Sequence, residues 1–296
     1  KAGKTYSLLP ENPNGDFTVV RNTTATRVNR AGFIEEVAAN VPRLTYLTVG
    51  GNPFLLDEPQ RTNLVTFSND FTSSTKTYNS VLTTANATTS PDSATNATKL
   101  IATTSNNFHR IFSNSNFISG NIYTFSIFAK KGEYEFIQLV PGFAAFNIAF
   151  VNFDLLNGVV GSSLNIISSS IIELKGGWFR CSFTKAATTT SSTDFTTALI
   201  TSLTAPRLES FVGNNVDGFF IYGMAIEIGS TISSYIPTTN AAVTRNADVI
   251  TRTPPAETLK ITTTFSNNTT QVLTTIPTTY TTPEGIIKSI IMSSTV

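Results

Sequence analysis

Between residues 121 and 183 the chain alternates apolar and polar side chains in short runs broken by turn residues. That period of two constrains the fold more than any other feature, because successive side chains on a strand point to opposite faces. Tyr123, Phe125, Ile127 and Ala129 share one face of a predicted strand, with Thr124, Ser126 and Phe128 on the other, and Lys130-Lys131-Gly132 closes it. Tyr134 and Phe136 then oppose Glu135, Ile137 and Leu139 until Pro141-Gly142 interrupts, and a third strand is expected over 143–153. Asn157-Gly158 between apolar flanks predicts a tight hairpin of type I′, whose central residues both need positive φ. Residues 171–174 lead through Lys175-Gly176-Gly177 into residues 178–183. No helical period competes, so the stretch reads as the middle of an antiparallel β-sandwich.

Composition supports a large core. The chain has 296 residues, 40% of them hydrophobic and 22 of them Phe. Burying one Phe contributes roughly 1.5–3 kcal/mol. Only 13% are charged, and 20 basic against 19 acidic residues leave a net charge of +1, which gives no electrostatic reason to bind nucleic acid or acidic membranes. No apolar run reaches the roughly 18 residues of a membrane helix, so no membrane insertion is expected. Cys181 and His109 each stand alone, which argues against an internal disulfide, a metal centre or a haem, and no cofactor is expected. Cys181, in an alternating strand, reads as a small buried hydrophobe. Abundant Thr, Ser and Asn describe a neutral, hydroxyl-rich β surface of the kind found outside cells or on particles.

Three regions are expected along the chain: an extended N-terminal docking segment over 1–60, a jelly-roll sandwich over 61–250, and a small C-terminal β unit over 251–296. In the first, a short strand is expected over 16–21. Residues 26–28 and 33–37 flank Asn29-Arg30-Ala31-Gly32 as a hairpin, although Phe33, Ile34, Val37 and Ala38 also suit one or two helical turns. So irregular a segment cannot bury much alone and is expected to lie along the sandwich or a neighbouring subunit. Gly223, within a strand, marks a bulge or a close approach of another backbone. After Pro254, residues 260–273 read as a hairpin around Ser266-Asn267-Asn268, with a further strand over 286–292.

An ordered set of words runs through roughly residues 16 to 250: Ala25-Thr26-Arg27-Val28-Asn29, Gly32-Phe33-Ile34-Glu35-Glu36-Val37, Val41-Pro42-Arg43-Leu44, Leu55-Leu56-Asp57-Glu58-Pro59-Gln60-Arg61-Thr62-Asn63-Leu64, Ser68-Asn69-Asp70-Phe71, Gly177-Trp178-Phe179-Arg180-Cys181, Ser234-Tyr235-Ile236-Pro237 and Val243-Thr244-Arg245-Asn246-Ala247-Asp248. Together they resemble a family of tailed-phage and related virion structural proteins described as tail-fibre-like, head-fibre-like or carbohydrate-binding components. The resemblance implies a non-enzymatic protein on the virion surface, in an external appendage that meets other virion proteins and host-surface glycans. It departs from the pattern after Asp70-Phe71, where Thr72-Ser73-Ser74 stands in place of a tryptophan. Arg27, Arg43, Arg61 and Arg245 recur in these words and are assigned to bidentate contacts that pin irregular segments to the sandwich or to another subunit. A homo-oligomer, with a trimer as the leading form, is expected from the long irregular N-terminal segment. A purely structural capsid decoration or adaptor protein, and a secreted carbohydrate-binding module, are the alternatives.

Trp178 carries the one ligand argument. An exposed indole face can stack on a sugar ring, with Arg180 on the same strand face. The competing reading has Trp178 capping the core edge with Arg180 laid across it as a cation on a π face. A glycosidase needs two carboxyl groups about 5–10 Å apart. Asp154 and Glu173 lie on neighbouring predicted strands but read as turn and surface residues, and Asp217-Gly218 likewise reads as a turn. His109 has no Ser or Cys companion in a nucleophile motif. Asn86-Ala87-Thr88 and Asn96-Ala97-Thr98 match glycosylation acceptors by chance in so Thr-rich a chain.

Overall fold

The computed structural model describes residues 17–295, and the chain divides into two compact units, residues 62–244 and a second unit in which residues up to 61 join residues from 245 onward. The fold is all-β, as the period of two predicts, and the paired strands run antiparallel.

Residues 62–244 form a sandwich of two sheets. The six-stranded sheet runs Ser168–Leu174, Trp178–Ala186, Ile122–Lys130, Gly218–Ile228, Ala97–Ala102, Val81–Thr88. The seven-stranded sheet runs Val159–Leu164, Phe150–Asp154, Phe136–Pro141, Ser191–Ile200, Asn107–Phe117, Ser210–Phe211, with Lys76–Asn79 also paired to Asn107–Phe117. Phe125 lies opposite Phe183 in register and their rings stack at 4.7 Å. Phe117 meets Tyr123 and Phe146 edge-on at 4.9 and 4.7 Å, the arrangement the ring quadrupoles favour. Ile137, Leu139, Val151, Phe153, Phe195 and Leu199 supply the facing layer from the seven-stranded sheet.

Two local expectations change, and a third is met in part. The strand expected over 143–153 is instead a one-turn helix, Phe143–Phe146, followed by the strand Phe150–Asp154. Helical spacing lets Ala145 and Phe146 both enter the core, and Asn147 at φ 56° ends the turn. The hairpin after Phe150–Asp154 forms, but with Asp154 paired to Val159 its loop spans four residues. Only Gly158 takes positive φ there, so the turn is not type I′. Its organiser is Asp154, whose carboxylate accepts the N–H groups of Leu156 and Asn157 at 2.8 and 2.9 Å. At Gly223 the expected bulge is present, and the close approach is made by aromatic side chains, not by another backbone. The register slips between Ser126 and Phe128 opposite it, φ is +59°, and a Cβ there would sit 2.8 Å from the Phe128 ring and 3.0 Å from Tyr235.

The second unit corrects the expected domain plan, in which the N-terminal and C-terminal flanks stood apart; residues 1–16 of the first flank lie outside the described residues. Arg43–Tyr46 and Pro53–Asp57 from the first flank join Gly285–Ser293, Lys260–Phe265 and Thr270–Leu273 from the second in one five-stranded sheet. Thr18–Val20 pairs with Val249–Arg252, which pairs with Tyr280–Thr281. Leu44, Leu55, Ile250 and Ile287 close a core that neither flank could assemble alone. The hairpin at 29–32 forms, with the Asn29 side chain accepting the N–H groups of Ala31 and Phe33, and the helical alternative is not taken. The expected hairpin over 260–273 is also present.

Candidate functional site

Trp178 and Arg180 do lie on the same face of their strand, away from Phe179, Cys181 and Phe183 in the core. That outer face, however, is itself covered. Trp178 is 2% exposed and its indole N–H donates to the Thr89 carbonyl at 3.0 Å. Arg180 is 8% exposed, donates to the Ser233 carbonyl at 2.6 Å and to Ser126 Oγ at 3.1 Å, and lies over the Phe128 ring rather than over Trp178. Chain from 63–71, 89–96 and 233–238 is bound down here by a polar network. Tyr222 donates to Asp92 at 2.8 Å, Tyr235 bonds Asn69 and Ser68, and Asn63 Nδ2 donates to the Ile236 carbonyl at 2.8 Å. Burial raises the pKa of both tyrosines, and the hydroxyl and amide donors around Asp92 hold its carboxyl below the ordinary range even though burial opposes them. No indole face is offered to a sugar at Trp178, so the stacking expectation is corrected. A strand pattern shows which residues leave the core but not whether a distant segment covers them.

Arg43 and Arg245 likewise make the carboxylate contacts expected of them, but inside the second unit. Arg43 bonds Asp248 and lies 2.9 Å from Glu58, and Arg245 reaches Glu58 at 2.5 Å and the Pro59 carbonyl at 2.5 Å. Arg21, not singled out in the sequence, completes the cluster against Asp248 at 2.8 Å. With Arg43 at 0% and Arg245 at 1% exposure, neither can dock another subunit from this position. Arg27 pairs with Glu35 at 2.6 Å, and Arg61 donates to the Gln60 carbonyl at 3.1 Å; both are half-buried.

The outer face of the seven-stranded sheet is built differently. Successive strands place Asn79, Arg110, Ala198, Gln138 and Asn152 in one cross-strand row, and Thr77, Phe112, Thr196 and Val140 in the next. At one end of the first row Gln138 donates to Asn152 Oδ1 at 2.7 Å and to the Pro206 carbonyl at 3.0 Å, and its own oxygen accepts the Leu208 N–H at 2.6 Å. Asn152 donates to the Leu203 and Ala205 carbonyls at 3.1 and 2.9 Å. Two fully buried amides therefore clamp the 203–208 loop across one end of the face. The clamped loop carries Arg207, its Nε 3.4 Å from the Ala149 carbonyl and its charge within electrostatic reach of Asp194 and Arg110.

Arg110 lies over the Phe112 ring, 4.7 Å from its centroid, and its Nη1 stands 3.4 Å from both Asp194 and Thr196. Asp194 also accepts Thr196 Oγ1 at 2.7 Å and Thr193 Oγ1 at 3.2 Å. Gly142 leaves room for this carboxylate, since a Cβ at that position would stand 2.7 Å from Asp194 Oδ1. The next residue, Phe143, is 60% exposed at the rim. Arg207 feels both neighbours. Burial lowers its pKa, Asp194 opposes that, and Arg110 adds to it. The face thus offers two guanidinium groups, one carboxylate, hydroxyls and aromatic edges, a set suited to hydrogen-bonding and stacking a polar ligand.

No family model matches the chain, and no curated protein matches it. Among solved structures, that of the Clostridium thermocellum N-terminal endo-1,4-beta-D-xylanase 10B, its CBM22-1 and GH10 modules complexed with xylohexaose, is 17% identical over 60% of this chain and 30% of that one, at a TM-score of 0.33. This chain therefore spans less than a third of that structure, and at such a TM-score the likeness decides nothing about the site.

The remaining candidates fall to other roles. Asp154 caps its turn and Glu173 lies exposed on an edge strand. Asp217 accepts from Asn214 in a turn. His109 is buried, its two ring nitrogens 2.5 and 2.8 Å from the Ser80 and Phe211 carbonyls. Cys181 is buried and burial pushes its thiol well above the ordinary range. No group of three or more His, Cys, Asp or Glu suited to a metal ion occurs among the described residues, and no helix among them is long and apolar enough to cross a membrane.

Proposed function

We propose that this chain is a non-enzymatic component of a virion appendage, a tail or head fibre or spike, and that the outer face of its seven-stranded sheet contacts host-surface glycans. The resemblance of its ordered words to those of virion structural proteins supports the setting. The observation that carries the contact is the arrangement of Arg110 on Phe112 beside Asp194, Thr196 and Arg207, a half-exposed polar face on a rigid sheet. Other virion proteins are its partners, and a homo-oligomer, a trimer, is its form on the particle. Gold-labelled antibody against this chain should mark an external appendage of intact particles, and sedimentation should give a multiple of 31.9 kDa. A joint Arg110→Ala and Phe112→Ala variant should fold and lose attachment to host cells. Labelling confined to the particle interior, a stable monomer, or full attachment by that variant would each remove the corresponding part of the reading. A decoration protein would instead show no glycan affinity and a copy number matching a capsid lattice site.

A further inference from the structure

Charge on the proposed glycan face does not balance. Asp194 is already engaged by Thr193, Thr196 and Arg110. Arg110 has a buried Nε with no partner among the described residues. Arg207 bonds the Ala149 carbonyl weakly through Nε, while its two terminal nitrogens, the planar fork that grips carboxylates, meet no partner there. Two guanidinium groups facing one occupied carboxylate leave one excess positive charge.

We propose that this excess receives the carboxylate of an acidic sugar, a uronic or sialic-type residue within a polysaccharide, held by the free fork of Arg207 and by Arg110. This deepens the glycan reading and rests on it. The chemistry favours a single carboxylate over a polyanion. Lys76, the other cation on strands of this sheet, is turned away and donates to the Thr66 carbonyl at 2.7 Å, so no run of cations exists to follow a phosphate backbone. Thr77, Asn79 and Asn114 add hydroxyl and amide groups at the register positions flanking Arg110, Phe112 and Asp194, as a sugar requires, and the amide clamp of Gln138 and Asn152 holds the loop that carries Arg207 before any ligand arrives. Burial already lowers the Arg207 pKa, so a bound anion would relieve a cost the folded chain carries.

The test is calorimetric titration of the full chain with oligogalacturonate, a glucuronate-containing oligomer and oligosialate, each beside its methyl ester, which removes the charge and keeps the sugar. At least one acid should bind about ten- to a hundredfold more tightly than its ester, the ratio expected for hydrogen bonds to a charged partner. Arg207→Gln should abolish that preference while leaving the melting curve in place, and Arg207→Lys should restore part of it. Acid and ester binding equally would overturn the inference yet leave the glycan reading intact. Neutral and acidic sugars all failing would end both. Capture of poly-glutamate in preference to every acidic sugar would assign the fork to a protein partner and overturn the proposal.

Discussion

At the scale of single residues, the same side-chain type behaves differently according to what covers it. Trp178 fills a closed site and donates its N–H to a backbone carbonyl, so Trp178→Ala should cost about 3–5 kcal/mol of stability, read as a lowered denaturant midpoint, without selectively weakening a glycan that binds the opposite sheet. Asp57, in the second unit, is buried and its pKa is raised from 3.8 to about 7, chiefly by desolvation, with Asp248 and Glu284 adding to the rise and the Thr282 hydroxyl and Arg43 opposing it. The folded state therefore holds this proton more tightly than the unfolded chain. Its contribution to stability is full below the unfolded value and is lost as pH rises through about 7, a change of at most about 4 kcal/mol. Denaturant melts of the wild type between about pH 5 and about pH 8 should show stability falling with pH, and Asp57→Asn should flatten that slope. An unchanged slope in the variant would assign the dependence elsewhere. That Trp178 and Arg180 leave the core was legible from the period of two. That the segments at Thr89 and Ser233 close over them was not, because these are recruited from 89 and 53 residues away and carry no period of their own.

Among the elements, the 203–208 loop decides what the sheet can do. It has no internal strand partner over most of its length and is held by two amides on adjacent strands, Gln138 opposite Asn152 in register. Gln138→Leu should leave the Leu208 N–H and the Asn152 amide short of partners at a cost of about 1–3 kcal/mol, and hydrogen exchange should show amides from 203 to 208 losing protection before the strands do. Ligand affinity should fall with it, since Arg207 rides on the clamped loop and adds to it just a long 3.4 Å bond to the Ala149 carbonyl. Exchange unchanged across the loop would mean that the amides are passengers. The signal was present in the sequence: a Gln and an Asn stand at outward positions of two strands that the connection at 142–149 brings together. Reading it required the register, and the register depended on the connection at 142–149, where a one-turn helix replaces the strand expected over 143–153. The helix Phe143–Phe146 was missed for a related reason, since four residues are too few to display a period.

Across the whole molecule, the sandwich is a continuous stretch of sequence and the second unit is not. Pairing of Asp57 with Gly285 and of Arg43 and Arg21 with Asp248 joins residues more than two hundred positions apart, which no local pattern reports. The recurrent arginine words were therefore legible as contacts but not as contacts within one unit. Removing one member of that buried cluster leaves the others uncompensated. Arg43→Ala should lose about 3–5 kcal/mol from the transition of the second unit, seen by calorimetry as one component moving to lower temperature while the sandwich component stays. A single transition shifted as a whole would mean that the two units unfold together. The central claim, that the outer face of the seven-stranded sheet is where this protein meets its ligand, is tested most directly by backbone amide NMR during titration with an acidic oligosaccharide. Shifts should concentrate at residues 110–114, 194–198 and 205–208, with Trp178 and Arg180 silent; shifts centred on Trp178 and Arg180, or none at saturating sugar, would contradict it.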